Sequence, residues 1–238
     1  FDPLDGSANI DSSLPVGTIF GIYKYKSLPP ATADTFLQRG ANLVAAGYCL
    51  YSATTVMVVT MGKGVDGFTL DPDRKEFLGT HPDMRIPHSG PLICTNEANF
   101  GSYCAPVQHY LRKVKRGGVG DGKGGSVKAQ GRYVGALVAD LHNVLIKGGL
   151  YMYPGTKENP NGKIRLMYES NPMAMIIEQA GGAASTGREK ILDVQPREIH
   201  QRVPTFLGSV QNIFELDECF KYIGEGEADE GEENDVVE

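Results

Sequence analysis

With 238 residues and 41% apolar side chains, the chain is long enough to bury a substantial core in one large or two modest domains. No run reaches the roughly 18–20 apolar residues a membrane span needs. Cys49, Cys94, Cys104 and Cys219 lack C-x-x-C spacing, which argues against a zinc site or a disulfide framework and for a reducing compartment. The formal charge of −6 is uneven: residues 224–238 hold eight acids and no base, so the remainder keeps 23 basic and 21 acidic residues. That acidic end has almost nothing to bury and is expected to be disordered and solvating.

The chain opens on FDPLDGSANID. Pro3 fixes its own φ and biases Asp2 away from helix, so Asp2 and Asp5 are expected to face one locus from a turn. Hard oxygen ligands of this kind suit Mg²⁺, which takes few carboxylates plus waters and phosphate oxygens. Gly6, Ser7, Ala8 and Asn9 follow as backbone N–H groups at an expected helix N-terminus, where an anion is favoured. Carboxylates that hold cations beside donors that hold an anion make a phosphoryl-transfer site. Asp-Pro and Asp-Gly are also ordinary turn dipeptides, so the motif needs support from elsewhere in the chain.

Further along, VGTIFGIYKYK reads as a strand and the paired prolines of SLPPATADTF break it. Residues 41–53, ANLVAAGYCLYSA, have helical spacing despite Gly47; TTVMVVTM reads as a buried strand, with Gly62, Gly64 and Gly67 marking the turn into GFTLD. GPLICTNE is a short strand, and PVQHYLRKVKR puts Val107, Tyr110, Leu111 and Val114 on one helical stripe. GGVGDGKG, residues 117–124, falls one residue short of a P-loop: Gly124 replaces the hydroxyl residue, and a helix precedes it where a strand is required. It is expected to be a loop.

Residues 132–146 and 172–180 read as helices, the second started by Asn171-Pro172 and ended by Gly181-Gly182, with GGLYMYP, GKIRLMY and VPTFLGS as strands around them. The five histidines show no metal-ligand spacing, and His142 is expected to be a satisfied packing residue. Strands and helices alternate without a repeat, which favours a layered α/β architecture. In NGKIRLMYESNP, Lys163 and Arg165 would share one face of a strand, with Glu169 just before the following helix. Two cations for phosphate and a carboxylate for metal suit a phosphate-ester site, although solvated charges on a surface strand fit the pattern equally well.

DPLDGSANID resembles the metal and phosphate loop D-P-x-D-G-[ST] of the Mg²⁺-dependent, lithium-sensitive sugar and inositol phosphatases. VGTIFGIY, NLVAAGYCLYS, RYVGALVADLH, GGLYMYPGTKENPNGKIRLMYESNPMAMIIEQAGG and ILDVQPREIHQRVP together resemble fructose-1,6-bisphosphatase from residue 1 to about Ile223. The resemblance implies the α/β, layered α-β-α-β-α sugar phosphatase fold with its N-terminal part missing. Residues 1–80 would be the remainder of an AMP-type domain, 81–223 a substrate domain and 224–238 a tail. The implied activity is Mg²⁺-dependent hydrolysis of the 1-phosphate of fructose 1,6-bisphosphate in a cytoplasmic protein, with plastid residence left open.

It also implies roles for particular residues. Asp2, Asp5, Glu169 and the Leu4 carbonyl match metal ligands, and Gly6, Ser7 and Ala8 match the loop around the 1-phosphate, with Arg165 near that end. Asn96, Tyr133, Tyr153 and Lys163 match residues that grip the 6-phosphate, while Gly135, Ala136 and Leu137 line the sugar. Arg132 matches an arginine that reaches a neighbouring subunit's site, implying a homotetramer. AMP would inhibit the longer protein, and Lys24 matches a basic position near that site. Ala8 replaces a common Ser, and Phe100 replaces a common Tyr, which predicts one lost hydrogen bond to the 6-phosphate. Glu158 replaces a Lys for which Lys157 would compensate. Sedoheptulose-1,7-bisphosphatase, inositol monophosphatase and a non-catalytic subunit are the rival readings.

Overall fold

The computed structural model describes residues 1–24 and 32–223; the acidic end 224–238, expected to be disordered, lies outside the described residues. The first part is an antiparallel meander: β1 (Asp2–Asp5), β2 (Val16–Tyr23), a short α1 (Ala33–Phe36), β3 (Leu43–Tyr51), β4 (Thr55–Thr60), β5 (Asp66–Asp71) and β6 (Glu76–His81). Its strands pair in chain order from β1 to β6. The second part runs β7 (Leu92–Cys94), α2 (Ala105–Gly117), β8 (Val119–Gly120), β9 (Ser126–Val127), β10 (Gln130–Gly131), α3 (Leu137–Lys147) and β11 (Gly149–Tyr153). It ends with α4 (Asn171–Gln179), β12 (Ala183–Ser185), β13 (Thr205–Gly208) and α5 (Val210–Tyr222). Its main sheet has the order β10-β7-β11-β13-β12, with β7 parallel to β10 and β11, and β13 antiparallel to its neighbours.

Helices α3 and α4 are sandwiched between the two sheets. The first touches β2 and β3 on one side and β7, β11 and β13 on the other; the second touches β2, β3 and β4, then β12 and β13. Ile19, Tyr48, Leu141, Val144, Met173, Ile176 and Leu207 fill this layer. The outer face of the second sheet is covered by α2 and α5, with Val107, Tyr110, Leu111 and Val114, the stripe read from the sequence, packed on Ile93, Leu150, Met152 and Phe206. The order is sheet, helices, sheet, helices, as expected of an α/β layered fold in which each element must bury an apolar face.

Three local expectations are corrected. Residues 41–53 are not a helix but β3, held between β2 and β4. Ala46, Tyr48 and Leu50 enter the core, while on the opposite face Ala45 is buried and a Cβ on Gly47 would meet Phe20 at 2.4 Å. With both faces covered, period-2 alternation vanishes and spacing no longer separates strand from helix. GKIRLMY is not a strand: Arg165 makes one isolated bridge with Arg202, and Leu166–Ser170 then form a π-turn leading into α4. Such one-residue insertions in helices are frequent at functional sites. Residues 132–136, expected to be helical, are extended loop, because Gly135 takes φ 84° and the chain turns into α3 only at Leu137.

GGVGDGKG, expected to be a loop, runs from the last residue of α2 through β8 into the hairpin turn to β9, with Asp121 accepting from the N–H groups of Lys123 and Gly125. His142 packs on α3, where its Nδ1 meets the Tyr48 hydroxyl at 2.7 Å and burial pushes it down to about 4. The imidazole is therefore neutral near pH 7 and ties β3 to α3. All four cysteines are free.

Where β7 and β11 start and β13 ends, backbones approach so closely that side chains are excluded. Gly149 has φ 132°, and a Cβ there would lie 2.2 Å from the Leu92 carbonyl oxygen. Gly149→Ala is expected to destabilise by about 3 kcal/mol, overpacking and backbone strain together, lowering Tm by roughly 6 °C or more for a chain of this size. A thermal melt unchanged within 2 °C (about one-third of that shift) would contradict it.

Candidate metal and phosphate site

Residues three apart on a regular strand point to opposite faces. Asp2 and Asp5 share one side because β1 is not regular: Asp2 pairs with Ile19 and Asp5 with Gly17, with a register shift between them. The expected turn is thus a bulged strand, pinned by the Thr18 hydroxyl donating to the Pro3 carbonyl at 2.9 Å. Glu169 arrives from the π-turn before α4, and single carboxylate oxygens of Asp2, Asp5 and Glu169 all lie within 4.8 Å of one another.

Each carboxylate is oriented by a backbone donor. Leu4 N–H donates to Asp2 Oδ1 at 3.1 Å, Val138 N–H to Asp5 Oδ2 at 2.8 Å, and Arg165 N–H to Glu169 Oε2. Burial pushes Asp5 up to about 6, with Asp2 adding repulsion, and pushes Glu169 up to about 7, with Asp2 and Asp5 adding to it. Three hard oxygens brought together at a cost in desolvation and repulsion fit a divalent cation such as Mg²⁺. The exposed Leu4 lies between the two aspartates in the chain, where its carbonyl is the fourth expected ligand.

Gly6, at φ 77°, turns the chain from β1 into a 3-10 helix over Ser7–Ser12, on which Ser7 and Ala8 are exposed. A Cβ on Gly6 would lie 2.5 Å from that of Ala136, so the turn seats directly on the segment before α3. Gly135, Ala136 and Leu137 therefore adjoin the acid cluster.

A separate cavity of about 190 Å³ is lined by Asn96, Tyr133, Tyr153 and Lys163, four residues expected to share one phosphate, together with Asn99, Tyr103, Thr156 and Asn159. Burial raises the Tyr133 phenol to about 12, with Tyr153, Asp140, Tyr103 and Asp5 adding to the rise. Asn96 caps the following 3-10 turn by accepting from Ala98 N–H, and the Tyr103 hydroxyl donates to its carbonyl at 2.7 Å.

Other expected residues lie elsewhere. Arg165 is outside this cavity, its guanidinium donating to the His200 carbonyl at 2.8 Å beside Glu169, so the shared face with Lys163 does not exist. Arg132 is exposed and donates to the Gly131 carbonyl. Phe100, expected to mark a lost phosphate contact, does not line the cavity; Arg112 and Lys115 lie over its ring, each 5.2 Å from the centroid. Glu158 lines it, and Lys157 lines a neighbouring groove. Asn99, Thr156 and Asn159 went unnoticed in the sequence: Asn99 sits in the short 3-10 turn Glu97–Ser102 and the other two in a Gly/Pro-rich stretch, none with a periodic signal.

A carboxylate cluster fit for a hard cation, beside a polar, lysine-bearing cavity, is a donor set that suits a phosphate ester. The comparisons narrow this. The family description "Fructose-1-6-bisphosphatase, C-terminal domain" matches residues 86–221, and "Fructose-1-6-bisphosphatase, N-terminal domain" matches residues 1–82. The chain belongs to the fructose-1,6-bisphosphatase family. Because the N-terminal domain matches residues 1–82, the expectation that the N-terminal part of the fold is missing is not supported.

Among curated relatives, the chain is 48% identical over 216 residues to "Fructose-1,6-bisphosphatase, cytosolic" of Beta vulgaris, covering 91% of this chain and 62% of that one. It is 47% identical to the protein of the same name from Spinacia oleracea, with the same coverage. It is 46% identical over 220 residues to that of Solanum tuberosum, covering 92% of this chain and 63% of the relative. The chain thus spans about 62% of the length of the relatives it matches.

Proposed function

We propose that the protein hydrolyses the 1-phosphate of fructose 1,6-bisphosphate, giving fructose 6-phosphate and phosphate, with Mg²⁺ as the metal. The observation that carries this reading is the meeting of Asp2, Asp5 and Glu169 within 4.8 Å in a chain of this family. Bound divalent ions supply Lewis acidity and a nucleophilic water at neutral pH. Asp2, Asp5, Glu169 and the Leu4 carbonyl hold them, each side chain keeping its orientation through the backbone donors described above. Residues Gly6, Ser7 and Ala8 bind the 1-phosphate through N–H groups at the start of the 3-10 turn, with Arg165 nearby. Gly135, Ala136 and Leu137 line the sugar. Asn96, Tyr133, Tyr153 and Lys163 hold the 6-phosphate, so that the scissile ester is fixed from its far end.

This reading includes the division into residues 1–80 and 81–223, a homotetramer in which Arg132 crosses to a neighbouring site, inhibition by AMP, a role in gluconeogenesis and a cytosolic place like that in the relatives' names. Among the described residues no helix is long and apolar enough to cross a membrane. No observation favours the seven-carbon bisphosphatase, the inositol phosphatase or the non-catalytic subunit.

The test is phosphate release from fructose 1,6-bisphosphate and sedoheptulose 1,7-bisphosphate, with Mg²⁺ and with chelator. Release that requires Mg²⁺ and prefers the six-carbon substrate is expected. Absence of release, or preference for the seven-carbon sugar, overturns the assignment.

A further inference from the structure

We propose that Asn9 and Asp140 are positioning residues that hold the phosphate turn and the sugar-lining segment at one spacing, a role that rests on the reading of residues 6–8 and 135–137 given above. Asp140 is buried in the first turn of α3, and both its oxygens are occupied: Oδ1 accepts from Val134 N–H at 2.8 Å and Oδ2 from Gly135 N–H at 3.0 Å. Asn9 is buried in the 3-10 turn, and its Nδ2 donates to the Pro15 carbonyl at 3.0 Å and the Val134 carbonyl at 3.2 Å. Val134 is therefore gripped from both sides, its N–H by a residue of α3 and its carbonyl by a residue of the turn.

Two further contacts join the same segments: Gly6 against Ala136, and Val138 N–H on Asp5 Oδ2. Segment 134–138 is thus stitched to 5–9 along its length, although about 130 positions separate them in sequence. Neither Asn9 nor Asp140 lines the cavity or belongs to the acid cluster. Their geometry acts on the distance between two walls rather than on the substrate, and displacements of about 1 Å in such walls cost up to about 10²-fold in rate.

The test uses Asn9→Ala, Asp140→Asn and the double variant. In Asp140→Asn one oxygen still accepts, but an NH₂ group faces the second N–H donor. Each single variant is expected to lower kcat/KM for fructose 1,6-bisphosphate by about 10–100-fold while Mn²⁺ affinity, measured without substrate, stays within about threefold. Amide exchange at Val134 and Gly135 should accelerate. Because both side chains hold Val134, the double variant should fall little below the worse single one. Unimpaired kcat/KM in folded variants, losses that multiply, or metal affinity that falls in step overturns the proposal. Should Asp140→Asn not fold, Asn9→Ala with the exchange measurement decides alone. An inactive wild type instead removes the functional reading beneath the proposal, a result distinct from an active wild type with unimpaired variants.

Discussion

Replacement of Glu169 by Gln is expected to lower Mg²⁺-dependent phosphate release by more than about 10²-fold while leaving the fold intact. Changes to the partners behind metal ligands typically cost 10–100-fold, and loss of a ligand exceeds that range. Gln can keep the hydrogen bond from Arg165 N–H through its carbonyl oxygen, but then presents an NH₂ group where a cation needs a lone pair. Stability moves the other way in metal-free protein. Burial, with repulsion from Asp2 and Asp5, raises the Glu169 carboxyl from 4.5 to about 7 in the folded state. Its contribution is present below 4.5 and is lost as pH rises through about 7. With chelator at pH 8, Glu169→Gln should therefore melt at or above the wild-type temperature, and Mg²⁺ should raise Tm in the wild type only. Retained activity in the variant, or equal stabilisation of both proteins by Mg²⁺, would remove Glu169 from the metal cluster.

Lys163→Ala carries the second large effect, expected in KM. Lys163 lines the 190 Å³ cavity with Asn96, Tyr133 and Tyr153, and does not belong to the carboxylate cluster. A hydrogen bond to a charged group contributes about 1.5–3 kcal/mol, which converts to roughly 10–150-fold in affinity. A phosphate that stays bound throughout the reaction is held equally in ground and transition states, so KM should rise with kcat changed little. Lys163→Arg keeps the charge and should restore part of the affinity, though its planar fork does not match a point-charge site. Steady-state kinetics on fructose 1,6-bisphosphate checks this. A loss confined to kcat would place Lys163 with the reacting phosphate instead.

Much of the architecture is readable from local pattern. The apolar and aromatic runs of β2, β4, β11 and β13, the α2 stripe and the Asn171-Pro172 start of α4 each declare themselves because one face of each is buried and the other is not, or because the run is short and bounded. Helix α5 escaped notice because its buried stripe includes Asn212 and Glu215. Asn212 bonds to both the N–H and the carbonyl of Gly90, and Glu215 accepts from Gly120 N–H. Polar residues that serve as tertiary fasteners break the apolar period. Strand β3 was misread for the converse reason, being covered on both faces.

The sequence by itself determined the chemistry on offer: an acidic, glycine-turned opening motif and a distant Lys, Arg and Glu group. Only the tertiary structure decided which of these meet. A bulge turned Asp2 and Asp5 to one side, a π-turn sent Glu169 to join them, and Val138 N–H reached Asp5 across 133 positions. Local propensity acts over a few residues, whereas a site is fixed by the register of packed layers whose contacts are long-range, so candidate ligands could be named from the chain but their spacing could not.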